Sequence, residues 1–151
     1  MNDMRAQDTD AICKRRSEKE GVAHCATLLR RAILTNDALP DRYRQKTWPD
    51  YIRAPEDAYG YSQVRPPKFR PSPRDVSNML PVMDWLCWLG GQTNGGRDAK
   101  LVMARARGVP RWRLAQRHGR SERQVQRWFD GAVAAIYGRF RKQVWEFQTS
   151  K

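Results

Sequence analysis

The chain has 151 residues, enough for one compact domain with an appended helical region but not for two full cores. Its 29 Lys and Arg against 16 Asp and Glu leave a formal charge of +13, which points to a polyanionic partner. No apolar run approaches the ~20 residues of a membrane crossing, and MNDMRAQDTDAICKRR at the start lacks the apolar stretch of a signal peptide, so a cytoplasmic protein is expected.

After a polar beginning, Val22, Cys25, Ala26, Leu29, Ala32 and Ile33 recur at three- and four-residue steps, which predicts an amphipathic helix over about residues 17–35. Arg30 and Arg31 fall outside the stripe and are expected in solvent. Cys13, Cys25 and Cys87 have no C-x-x-C spacing, and an odd count does not close a disulfide framework. Cys13, His24 and Cys25 lack the fourth ligand of a zinc site, so neither metal nor cofactor is expected.

Seven of the nine prolines lie between Thr35 and Arg74, interleaved with Tyr43, Trp48, Tyr51, Tyr59, Tyr61 and Phe69. Proline removes amide donors and fixes φ, which excludes long elements there. The aromatic content predicts a strap packed on a helical core, with Val64 to Pro73 as a hinge. Residues 1–71 then form an N-terminal helix and strap for docking a partner, and 72–151 a helical domain.

Ser72, Pro73 and Asp75 predict a helix start with Ser72 as cap. Val76, Met79, Val82, Met83, Leu86 and Leu89 continue an apolar stripe to Gly90, with Trp85 and Trp88 beside it as packing residues, and Pro81 is expected to kink the helix or restart it at about Asn78. GGQTNGGR, residues 90–97, reads as a flexible loop. It is not a phosphate loop, since Gly96, Arg97 and Asp98 follow Gly95 where that motif needs G-K-[ST].

Asp98 is expected to cap a helix carrying Leu101, Val102 and Ala104 and ending at Gly108. Pro110 opens a short helix with Trp112, Leu114 and Ala115, closed by Gly119, and Ser121 with Gln124 forms a capping box for the next. Small Ala115, the turn at Gly119 and apolar Val125 stand in the register of a helix-turn-helix spanning 98–137. On the second helix Val125, Trp128, Phe129, Ala132 and Ile136 share one face, and Arg123, Gln126, Arg127 and Asp130 lie opposite, where they would read base edges. Arg105, Arg107, Arg111, Arg113, Arg117, Arg120 and Ser121 are placed to hold phosphates. His118 is expected to pack, half-buried. Residues 97–151 carry 14 Lys or Arg and 4 Asp or Glu, a balance of +10, against +3 for residues 1–96, so the charge coincides with the motif. Beyond it, Phe140, Val144 and Phe147 predict either a continuation of the second helix past Gly138 or a separate tail helix against the N-terminal part, with packing as the role.

From Asp98 to Arg141 the chain resembles the C-terminal helix-turn-helix of sigma factors. The resemblance rests on Leu101-Val102-Met103, Gly108-Val109-Pro110, Leu114-Ala115, Gly119, Ser121 and Val125 to Trp128. From about Gly21 onward it is also similar to a phage-associated and alphaproteobacterial family that includes the sigma-like half of gene transfer agent activators, through Trp48-Pro49, SPRD at 72–75, DWLCWL at 84–89 and VMARARGVPRWRLAQRHGRS at 102–121. The resemblance implies binding to double-stranded promoter DNA and contact with RNA polymerase or a companion activator, within the nucleoid. A segment for the −10 element is missing, so independent initiation is not implied.

The sequence thus predicts an all-α fold, an N-terminal helix and aromatic strap on a helix-turn-helix bundle, and a transcription regulator rather than an enzyme. The alternative is a DNA-packaging factor resembling a small terminase subunit, which would use the same motif. Nuclease chemistry is disfavoured, because two histidines and scattered carboxylates form no metal-spaced cluster.

Overall fold

Apolar spacing of three and four residues dominates the chain outside the proline-rich stretch, and every element described is helical. The computed structural model describes residues 2–39 and 68–147, with side chains from residue 17 onward. Most of the predicted strap, with Pro40, Trp48, Pro49 and Tyr59, lies outside the described residues, as do the first half of the predicted hinge and the side chain of Cys13. Five α-helices and no strand are present among the described residues: α1 (Asn2–Ala38), α2 (Pro73–Gly90), α3 (Gly95–Ala106), α4 (Arg111–His118) and α5 (Glu122–Glu146). The fold is all-α.

The main core joins four of these helices. Leu29 and Ile33 of α1, Met79, Val82, Met83, Trp85 and Leu86 of α2, Val102 and Met103 of α3, and Ala132, Val133 and Ile136 of α5 are all buried together. Each large aliphatic side chain placed this way contributes about 1.5–3 kcal/mol of apolar burial. A boundary at residue 71 therefore does not separate two cores, because α1 is an integral wall of the domain that follows. A smaller cluster of Leu101, Ala104, Val109, Leu114, Ala115 and Val125 lies under α4, and Phe129 packs against both clusters.

Arg31 is not in solvent. Its Nε and Nη2 donate to Asp75 Oδ1 and Oδ2 at 2.7 and 2.9 Å, which ties α1 to the first turn of α2. Asp75 also completes a capping box, accepting from the Ser72 amide at 2.8 Å while its own amide donates to Ser72 Oγ at 3.2 Å. Burial alone would raise the Asp75 carboxyl, but Arg31 and the two Ser72 donors outweigh it and hold the pKa below the usual carboxylate value.

Pro81 neither breaks nor restarts α2, which runs as one segment through it. The carbonyl that loses its amide partner belongs to Ser77, which is exposed, so water can serve it, while Met79 and Val82 on either side hold the helix to the core. Nor does the next helix wait for Asp98. It begins at Gly95, where the chain leaves α2 so tightly that an added Cβ would sit 1.8 Å from the Leu89 carbonyl oxygen. The glycines predicted as a flexible loop are thus half a closed turn and half a helix start, and Asp98 falls in the first turn, paired with Arg97 at 2.9 Å.

α5 passes Gly138 without interruption and departs from helical geometry only at Phe140 (φ −116°, ψ 24°), so the two predicted endings are joined by a kink. Past the kink, α5 returns to the other helices. Trp85 is buried, stacks on Phe140 at 5.5 Å and donates its Nε1–H to Gln143 Oε1 at 2.9 Å. His24 of α1 donates from Nε2 to the Phe147 carbonyl at 2.8 Å and stacks on Trp145. Gly21 lies so close to Tyr137 that a Cβ there would meet the ring at 2.3 Å.

Candidate nucleic-acid interface

α4 and the first half of α5 present the densest positive surface. Residues 111–130 contain six arginines and only Glu122 and Asp130 as carboxylates. α4 ends because Gly119 takes φ 60°, a left-handed conformation open to glycine, which lets the Arg120 amide reach the Ala115 carbonyl at 3.0 Å. Ser121 then starts α5 by accepting the Gln124 amide at 3.2 Å. Among the described residues the reciprocal bond from the Gln124 side chain is not made, so this is a serine cap rather than the full box, which is found at Ser72 instead.

The seat of α5 is Trp128. Arg97 of α3 lies over its ring at 3.9 Å and His118 of α4 meets it edge-on at 5.7 Å, so one half-buried indole holds three helices in place. His118 is half-buried, and burial together with Arg97 and Arg117 pushes its pKa below the ordinary value, which favours the neutral ring. Leu114 and Val125 are fully buried beneath, with Ala115 between the two helices. The buried side of α5 is wider than its apolar spacing predicts, because Val133 and Tyr137 join it.

Four side chains predicted to face outward sit on one side of α5. Arg123, Arg127 and Asp130 are exposed; Gln126 is half-buried and donates from Nε2 to Asp130 Oδ1 at 2.8 Å. The Gln126 amide is therefore oriented by a neighbour rather than free to swing. Of the predicted phosphate contacts, Arg111, Arg117, Arg120 and Ser121 are exposed, and Arg113 is half-buried with its guanidinium 5.3 Å from the centre of the Trp112 ring.

Two of the predicted phosphate contacts already have partners within the fold. Arg107 forms a forked pair with Asp37 of α1, at 2.8 Å from Nε and 3.0 Å from Nη2, so its charge is spent inside the fold. Arg105 is half-buried, donates from Nη1 to the Val109 carbonyl at 3.1 Å, and has its pKa lowered by burial and by Arg111. Both side chains leave α3 on the sides turned toward α1 and the α3–α4 connection, which a count of arginines does not reveal.

Trp112 is the residue that the sequence reading left without a role. It is 54 % exposed between Arg111 and Arg113. Its signal was its position: at ~100° per residue it lies nearly opposite Leu114, which is buried.

Cys25 is fully buried, and burial pushes its thiol up to about 12, which makes it an inert packing residue. Among the described residues no three His, Cys, Asp or Glu side chains converge, and no helix is long and apolar enough to cross a membrane.

A family model described as a domain of unknown function, DUF6362, matches residues 35–136. The chain belongs to this family. The matched stretch opens in the last turn of α1, takes in α2, α3 and α4, and closes inside α5 at Ile136. No curated protein and no solved structure matches the chain.

Proposed function

We propose that this protein is a DNA-binding transcription regulator that inserts the N-terminal half of α5 into the major groove. The observation that carries the reading is the pairing of an outward row, Arg123, Gln126, Arg127 and Asp130, with a seat at Trp128, on a surface whose other exposed charged groups are Arg111, Arg117 and Arg120 against Glu122 alone. Arginine pairs bidentately with guanine and glutamine with adenine, each good contact being worth ~1–3 kcal/mol of discrimination. Arg111, Arg113, Arg117, Arg120 and Ser121 would grip phosphates and set the register. The resemblance of residues 98–141 to the sigma-factor helix-turn-helix makes promoter DNA the expected target, RNA polymerase or a companion activator the expected partner, and the nucleoid the expected location. The role is one of binding rather than catalysis.

Selection of bound sequences from a random duplex pool, followed by titration at several salt concentrations, tests the reading. Arg127→Ala is expected to lower affinity for the selected site by about tenfold or more while leaving random duplex unchanged. Arg117→Ala is expected to weaken both alike and to flatten the salt slope by about one unit. Failure of the wild-type chain to bind any duplex at low salt would reject the proposal, and equal losses from both variants on both duplexes would reject the division of labour. A ring-shaped oligomer in light scattering would move the reading to a packaging factor using the same surface.

A further inference from the structure

On the side of α5 turned away from Arg127, a cavity of ≈ 370 Å³ opens between α1, α3 and α5. Its size is that of a small-molecule pocket. Ala26, Leu29, Val102, Ala106, Phe129 and Val133 supply an apolar wall, and Arg30 and Arg105 supply two guanidinium groups; among the described residues no carboxylate lines it. Arg30 is exposed, and Arg105 is half-buried.

Arg105 is held in place without being neutralised. Its Nη1 is fixed on the Val109 carbonyl, yet among the described residues its buried Nε has no hydrogen-bond partner and no carboxylate lies within ion-pair distance of it. A part-buried cation with an unused N–H is costly unless an acceptor supplies the missing charge and bond. The arginine just past the end of α3 shows the contrast, since Arg107 has its carboxylate in Asp37.

We infer that this cavity is a binding site for a small amphipathic carboxylate, whose head is held by Arg105 and Arg30 and whose apolar body lies against Phe129, Val133 and Leu29. The site goes beyond the DNA reading and does not depend on it. Because Phe129 and Val133 belong to α5, a ligand there bears directly on the helix that carries Arg123 and Arg127.

Octanoate, with 1-octanol as its neutral counterpart, tests the site by NMR titration of the full chain without DNA. Octanoate is expected to saturate and to shift the Arg105 side-chain Nε–H and the Phe129 and Val133 amides, and 1-octanol to bind about tenfold more weakly or worse. Arg105→Gln is expected to bring octanoate down to the level of 1-octanol. Ala26→Leu, which fills the cavity from α1 and leaves both arginines in place, is expected to remove binding of both probes, and it decides the matter if Arg105→Gln fails to fold. Equal affinity for the acid and the alcohol, unsaturable shifts spread over the surface, or full binding by Ala26→Leu would each overturn the inference.

Discussion

Asn36 is 1 % exposed, and among the described residues neither its amide nitrogen nor its side-chain oxygen has a hydrogen-bond partner. A buried amide in that condition carries its desolvation cost with no return, of order 1–3 kcal/mol. Asn36→Leu, which keeps the branch at Cγ and removes both polar atoms, is therefore expected to raise the urea midpoint by an amount corresponding to about 1 kcal/mol or more. Asn36→Asp, which buries a charge, is expected to lower it; equal stability of the two variants would show that the site is solvated. Arg107 makes the complementary case. Its pairing with Asp37 predicts that Arg107→Ala weakens the fold, seen as a lower urea midpoint, and leaves the salt slope of DNA binding untouched. Residue identity alone does not separate Arg107 from Arg117; the Asp37 carboxylate packed against Arg107 does.

Between elements, the strongest polar tie is the forked contact of Arg31 with Asp75, whose carboxylate is 5 % exposed. The depressed Asp75 pKa gives the tie a pH signature. A carboxyl that binds its proton more weakly when folded stabilises the protein fully above its unfolded pKa of about 4, and this stabilisation is lost as pH falls from there through the lower folded value. Thermal melts between neutral pH and pH 2 should show wild type losing on acidification a stabilisation that Asp75→Asn lacks already at neutral pH. Parallel curves for the two proteins would remove Asp75 from the account. The helix start at Ser72 was legible, because a cap, a proline and an acid stand at fixed offsets; the partner on α1 was not, because nothing in the spacing of Arg31 distinguishes it from Arg30. The start of α3 was misplaced for a related reason. Glycines read as freedom in a sequence, whereas Gly95 is needed for lack of room beside Leu89.

Over the whole molecule, helical class and the seat of α5 were readable, since periodicity and turn residues are local. The packing of the chain's end on α1 was one of two readings, but the residues that make it were not legible, because they stand more than a hundred positions apart, as His24 does from Phe147. That packing predicts the behaviour of fragments. Residues 35–136 alone lack Leu29 and Ile33 on one side and Tyr137 and Val144 on the other, all buried in the intact chain. Such a piece should show no cooperative thermal transition and should bind a dye for exposed apolar surface; a sharp melt like that of the full chain would contradict the shared core.

The family match stops just where these outer contributions begin, at residues 35 and 136, and the segments beyond both limits meet each other through Gly21 and Tyr137 and through His24 and Trp145. Any relative that keeps the matched stretch but changes its two flanks loses the partners that Leu29, Ile33, Tyr137 and Val144 supply to the core. It must recruit a different cover, from elsewhere in its own chain or from another molecule, and diversification within such a lineage would then act on what shields the common centre.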